Sequence, residues 1–162
     1  MKKNILICIF TALVFGSGCA GRYLSPISTC KPLSAFKTIV IAPFEGDSAF
    51  VEESKYKQLP HDIARAVTER LKEQIEFNYI FPKVIQSSVC VDQAIKIEGK
   101  IYRIDHQKRT FHVGIRGRII DCQNNKPLYL FDQDEEEFES GKLPDQIADK
   151  LYEGIKGRLT CQ

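Results

Sequence analysis

Three histidines, His61, His106 and His112, serve the whole 162-residue chain. No G-x-S-x-G, no H-E-x-x-H and no phosphate-cradling glycine loop occurs. A hydrolase would have to draw its base from His106 or His112 with Asp105, while His61 falls in a helical first turn that faces solvent. The cysteines include no C-x-x-C pair, so a structural zinc site lacks closely spaced ligands, and no thiol has a neighbouring base. An excess of one charge is missing as well. The chain has 23 basic and 21 acidic residues, and Lys2 and Lys3 lie in a leader. With those two set aside the balance is even, which removes the whole-molecule electrostatic argument for nucleic acid. Nor is there an apolar run long enough to stay in a membrane. Ile5 to Phe15 is 11 residues, roughly 16 Å as a helix against a hydrocarbon core of about 30 Å. Low-complexity segments are absent. No catalytic residue, cofactor or metal is expected, and no nucleic-acid partner.

What is present at the start is an address. M-K-K-N precedes the uncharged run I-L-I-C-I-F-T-A-L-V-F, and small residues follow. A basic start, a short apolar stretch and a small-residue end make a secretory signal over residues 1–18. The residues Gly16-Ser17-Gly18-Cys19 resemble a bacterial lipobox, with glycine at the position usually held by an aliphatic residue. The resemblance implies that Cys19 is the mature N-terminus and carries a diacylglyceryl group plus an N-acyl chain (a palmitate-type anchor). Two or more chains hold a protein stably where one does not. Ala20 in place of aspartate implies an outer-membrane destination, with the domain in the periplasm. An ordinary signal cut nearby would leave Cys19 as a plain thiol.

Beyond the leader 144 residues remain, enough for one domain with a core. Residues 19–36 contain Pro26, Pro32 and scattered serines, and read as the lipidated N-terminus and a tether. Residues 37–162 read as a single α/β domain. Cys8 leaves with the leader and Cys19 takes lipid, so Cys30, Cys90, Cys122 and Cys161 remain for pairing in an oxidising compartment. Four cysteines allow three connectivities.

Lys37 to Phe44, K-T-I-V-I-A-P-F, suits a strand buried on both faces. From Leu59 the period changes to helical: Pro60 suits the first turn, and Ile63, Val67, Leu71 and Ile75 recur every four residues. Phe81 to Gln86 reads as a short strand confined by Pro82 to an edge or a start. Ile95, Ile97, Gly99 and Ile101 alternate with polar residues, and so do Phe111, Val113, Ile115, Gly117 and Ile119. With Asp105 to Thr110 as the loop, antiparallel pairing sets Ile101 against Val113, Gly99 against Ile115 and Ile97 against Gly117. Asn124-Asn125 suits a tight hairpin turn into Leu128–Asp134. A last helix begins near Pro144, with Ile147, Leu151, Ile155 and Leu159 on one face and Gly154 and Gly157 weakening it. The expected architecture is β-α-β-β-β-β-α, an α+β fold with a mixed sheet of about five strands and two helices packed on it. This layout favours Cys90–Cys122 and Cys30–Cys161 as the disulfides.

The strings I-V-I-A-P-F, A-x-x-V-x-x-x-L within the first helix, and I-K-I-E-G-K-I-Y-R-I-D resemble small bacterial envelope lipoproteins of an uncharacterised family. Those proteins distantly resemble the α/β domain of the curli secretion channel lipoprotein. The resemblance spans roughly Phe36 to Leu159 and carries over no counterpart of the channel's membrane-crossing strands.

Two charged features stand out. Phe131 to Glu139, F-D-Q-D-E-E-E-F-E, holds six carboxylates in nine residues. Asp132 and Asp134 open like a calcium loop, but Glu137 stands where glycine is needed and Leu143 where the bidentate acid belongs. A solvated edge strand, kept from pairing by its charge, is the simpler account, with His112, Arg116 and Arg118 available across the strand. The second feature is the basic stretch Arg103 to His112, with Lys108 and Arg109 at a hairpin tip. These observations favour a non-enzymatic, lipid-anchored envelope protein that binds a protein partner or its own copies along the edge Leu128, Tyr129, Leu130 and Phe131. The alternatives are an accessory protein that meets lipid or lipopolysaccharide through Lys108 and Arg109, and a cryptic hydrolase.

Overall fold

The computed structural model describes residues 23–27, 31–49, 51 and 53–160. The signal segment, Cys19, Cys30 and Cys161 lie outside the described residues, as do Gly21 and Arg22. In chain order the elements are β1 (Ser25–Pro26), β2 (Thr38–Ile41), β3 (Glu45–Gly46), α1 (Leu59–Phe77), β4 (Lys83–Gln86), β5 (Ala94–Gln107), β6 (Thr110–Asp121), β7 (Lys126–Glu137) and α2 (Leu143–Lys156). The strands form one mixed sheet in the order β1-β7-β6-β5-β2-β4, with β3 pairing β5 beyond the end of β2. Five long strands and two helices follow the expected succession, and β1 and β3 are two-residue additions.

The continuous aliphatic run has the place its composition demands. β2 lies between β4 and β5, parallel to both, and Ile39, Val40 and Ile41 are fully buried. Ile39 and Ile41 meet the core, where Ile63, Val67, Leu71 and Ile75 of α1 and Ile147, Leu151 and Ile155 of α2 supply the helix faces. Because β4 and β5 flank β2, the connection 87–93 must cross β2. It does so on the face away from the helices, where the Lys96 ammonium reaches the Ser88 carbonyl oxygen and Cys90 is bonded to Cys122. That disulfide is one of the two pairings expected. β4 is an edge strand that starts directly after Pro82, as the proline requires.

The β5–β6 register differs from the expected one by two residues. Ile97 faces Ile119, Gly99 faces Gly117 and Ile101 faces Ile115. The turn is only Lys108–Arg109 rather than the six residues Asp105 to Thr110, and a bulge at Tyr102 shifts the pairing by one residue beyond it. The polar run Asp105–Thr110 reads as a loop, but Asp105, His106 and Gln107 pair with His112, Phe111 and Thr110. Two glycines face each other, not a glycine and an isoleucine, and the space they leave is filled from the side. Phe131 lies over Gly117 and Phe44 over Gly99, with the two rings stacked 6.3 Å apart.

The boundary expected at residue 37 leaves out side chains that belong to the core. Leu24 and Leu33 are fully buried, and Leu24 packs on Gly154, where a Cβ would lie 3.1 Å from its Cγ. Arg158 donates to the Leu24 carbonyl at 2.8 Å, the Tyr129 hydroxyl donates to the Lys31 carbonyl at 2.7 Å, and the Leu33 amide donates to the Arg158 carbonyl at 2.8 Å. The segment read as a tether is therefore docked from Tyr23 onward wherever it is described. Its two leucines are the signal that the prolines and serines concealed.

Lys31 also reaches Asp121 at 2.7 Å, and that carboxylate side chain is only 1% exposed. Burial pushes the Asp121 carboxyl up, but the Lys31 ammonium, the Gln123 amide and the Asn124 side chain outweigh it and hold its pKa below the ordinary 3.8. A carboxyl with a lowered folded pKa stabilises fully above its unfolded pKa, and that stability is lost as pH falls through the folded value. Asp121→Asn should therefore cost about 2 kcal/mol near neutrality and flatten the acid decline of stability. Urea titrations across the acid range check this, and an unchanged acid slope would refute it.

Candidate docking and assembly surfaces

The β5–β6 hairpin closes on two positive-φ residues, Lys108 at 48° and Arg109 at 77°. A two-residue turn of this sense favours Asn-Gly, because a side chain in the left-handed region costs about 1 kcal/mol. Here two long cations occupy it. Both are exposed, and neither has an ion-pair partner among the described residues. Beneath the turn, Tyr56, His106 and Phe111 form an aromatic cluster with centroid separations of 4.5 to 5.5 Å. Phe111 pairs with Glu137, so Phe138, which is 72% exposed, emerges at the same end of the sheet.

The acidic run forms the outer half of β7, as the edge-strand reading expects, but its carboxylates divide between two faces. Asp132, Asp134 and Glu136 point away from the core, and Glu135 is turned inward at 2% exposure. Glu135 meets the Lys150 ammonium of α2. Tyr23 stands beside it, its phenol pushed far above the usual range first by burial and then by the Glu135 charge. The parity of Tyr129, Phe131, Gln133 and Glu135 was legible in the sequence and would have placed Glu135 inside.

On the uncovered face the charges are knitted together. Arg118 bonds Glu98 at 2.6 Å, Lys96 bonds Glu98 at 2.7 Å, and His112 Nδ1 lies 3.1 Å from Glu136. The cross-strand pairing expected for His112 is thus present. Arg116 instead lies 5.1 Å from the centroid of the Tyr102 ring, and Arg118 turns to β5 rather than β7. Tyr102 covers Gly114 and donates to Asp132 at 3.2 Å. An open groove of about 600 Å³ runs between Pro43 and Leu130 over Gly99 and Gly117. Arg118 and Glu98 in its lining are bonded to each other, and Lys100 to Asp47.

The sheet edge Leu128–Phe131, expected to accept a partner strand, is already partly paired. Ser25 and Pro26 lie against Leu130 and Tyr129, and the Ile27 amide donates to the Leu128 carbonyl at 3.1 Å. A strand added there would have to displace this segment. The backbone from Asp132 to Glu137 has no strand on its outer side among the described residues.

The hydrolase candidates are only partly brought together. Asp105 and His112 are cross-strand neighbours, but Asp105 bonds Arg103 at 3.0 Å and His112 bonds Glu136. His106 belongs to the aromatic cluster and His61 is exposed on α1. Among the described residues no hydroxyl or thiol is hydrogen-bonded to a histidine, and no cluster of three metal-ligating side chains occurs. No helix among them is long and apolar enough to cross a membrane.

Compared with solved structures, the chain superposes on the PelC dodecamer subunit from Paraburkholderia phytofirmans with a TM-score of 0.55 at 9% identity, covering 83% of this chain and 96% of that one. A leucine-to-methionine variant of PelC gives 0.54 at 10% identity, over 83% and 95% of the two chains. The likeness is one of fold. Lipoprotein GNA1162 from Neisseria meningitidis also aligns, with 14% identity over 70% of this chain and 94% of that one, but its TM-score of 0.30 carries no argument. No family model matches the chain, and no curated protein matches it in sequence. The resemblance to envelope lipoproteins therefore rests on the quoted motifs, and the likeness to PelC shows the fold alone.

Proposed function

We propose that this chain is a non-enzymatic, lipid-anchored protein of the bacterial envelope that assembles with copies of itself. The observation that carries this reading is the likeness of fold to PelC, which was crystallised as a dodecamer. The secretory leader and the Gly18-Cys19 junction support the address, and the knitted charges around Asp105 and His112 favour no reaction. Among the described residues two sheet edges are open to an assembly contact, β4 and the outer half of β7. Pairing two β7 edges would set five carboxylates against five, which repulsion disfavours. A head-to-tail contact, β7 of one copy against β4 of the next, avoids that, adds Lys83 as a counter-charge, and closes a ring if the rotation allows.

The test is carbodiimide crosslinking in native membranes, which joins lysines to carboxylates, followed by mass spectrometry of the products and of the mature N-terminal peptide. The expected result is lipid on Cys19 and links from Lys83 to Asp134 or Glu136 of another copy. Recovery of monomer alone, with no crosslinked partner of any kind, would sink the assembly reading.

A further inference from the structure

We infer that the hairpin end of the sheet rests on the bilayer, with Phe138 in the interface and Lys108 and Arg109 on anionic phospholipid headgroups. This rests on the lipid anchor proposed at Cys19. The first support is chain length. Tyr23 is the first described residue, stacked 6.3 Å from Phe131 and standing beside Glu135. Only three residues separate it from Cys19, so the anchored sulfur lies within about 14 Å of Tyr23. Following the β1–β7 register, Tyr23 is level with Asp132, and Phe138 is six residues farther along, about 20 Å. A reach of about 14 Å brings the anchor to within about 6 Å of the level of the hairpin end, so the domain is held close to the lipid rather than suspended far above it.

The second support is direction. β1 runs antiparallel to β7, so the chain upstream of Ser25 heads toward the C-terminal end of β7. That end presents Phe138 and the Lys108–Arg109 turn. The opposite end presents Phe77 and Tyr79, which are 82% and 87% exposed and look the better membrane contacts from exposure alone. They lie beyond the start of β4, across the sheet from where the anchor enters. The third support is the turn itself. Two cations with no ion-pair partner among the described residues are held in a backbone conformation that asparagine and glycine adopt more readily. Such an outlier is unrewarded by the contacts of the fold and suits a contact outside it. A partly inserted aromatic with flanking cations is the arrangement an anionic interface favours.

The chain has no tryptophan, so one can be placed as a reporter. Full-length chain matured in bacteria and carrying Phe138→Trp or Phe77→Trp is reconstituted in phosphatidylglycerol–phosphatidylethanolamine vesicles containing brominated lipid. Quenching at position 138 should exceed that at 77 by roughly 3-fold or more, since an interfacial group sits within the outer 5–10 Å of lipid. With Lys108→Asn and Arg109→Gly added, the melting temperature should rise while quenching at 138 falls. Equal quenching at the two positions, stronger quenching at 77, or quenching indifferent to the double substitution would overturn the inference. So would quenching that needs lipopolysaccharide rather than phosphatidylglycerol. The mass of the N-terminal peptide separates the two failures. Without lipid on Cys19 the anchor and this inference fall together, whereas lipid present with no positional bias defeats the docking alone.

Discussion

Replacing Cys90 and Cys122 by serine should lower the free energy of unfolding by about 3–4 kcal/mol, the chain-entropy value for a loop of this length. The two cysteines are 32 residues apart in sequence, with Cα atoms 5.3 Å apart. The bridge does more than close a generic loop. It holds the segment 87–93 where that segment crosses β2 and shields the face of the sheet away from the helices, where Val40, Ala94 and Ile120 are buried by 98% or more. Few other ties fasten it. The Ser87 amide bonds the Ile41 carbonyl, Lys96 reaches Ser88, and Val89 remains 69% exposed and Val91 37%. Denaturant titration of the wild type and the double-serine variant gives the difference directly, and a loss below about 1 kcal/mol would mean that local contacts already hold the segment. The same titration under reductant addresses the second pairing expected from the sequence. Cys30 and Cys161 lie outside the described residues, but their neighbours Leu33 and Ser34 are hydrogen-bonded to Arg158 and Leu159. If that bridge forms, reductant will weaken the double-serine variant further. If it does not, that variant will be indifferent to reductant.

The parts of the fold that were legible in the sequence share a physical cause: each is a one-dimensional pattern set by burial. Ile63 to Ile75 repeat at the helical period because one stripe faces the core, and Ile39 to Ala42 within Lys37–Phe44 read as apolar throughout because both faces are covered. Pro82 announced an edge because a strand interior needs the amide it lacks. What escaped depended on three-dimensional partners. The bulge at Tyr102 carries no composition signal, and the polar run Asp105–Thr110 read as a loop although all but Lys108 and Arg109 of it is paired strand. Tyr23 to Ile27 resembled a tether because its stabilising contacts, Leu24 on Gly154 and Arg158 on the Leu24 carbonyl, come from residues over 120 positions away. The same gap hid the candidate surface. Lys108 and Arg109 were visible as charges, but only the direction of β1 shows which end of the sheet the N-terminal segment approaches. Leu128–Phe131 was apolar enough to suggest a docking edge, and the docked strand is part of the chain itself.

A single methyl group at Gly117 should cost about 3 kcal/mol, at the upper end of what overpacking a core takes. An ideal Cβ there would sit 2.2 Å from the Glu98 carbonyl oxygen, 2.3 Å from Phe131 Cζ and 2.7 Å from the Gly99 Cα. Two of those three neighbours are backbone of the adjacent strand and cannot rotate aside. Relief requires β5 and β6 to part at the pair Gly99–Gly117, where the aromatic row Tyr23–Phe131–Phe44 crosses the sheet. The loss should therefore come with disturbance of that row. Near-ultraviolet dichroism should change, and so should protection of the Ile27 amide, bonded to the Leu128 carbonyl, against hydrogen exchange, because Tyr23 rests on Phe131. Truncating Phe131 in the same chain should not rescue Gly117→Ala, since the backbone clashes remain. Gly141→Ala is the control: nothing lies within 4 Å of its Cβ position, so its effect should stay within about 0.5 kcal/mol. Equal stability of the two alanine variants would show that the strands separate at little cost. The glycine pair would then be a matter of local sequence rather than the seam through which the aromatic row ties the N-terminal segment to the sheet.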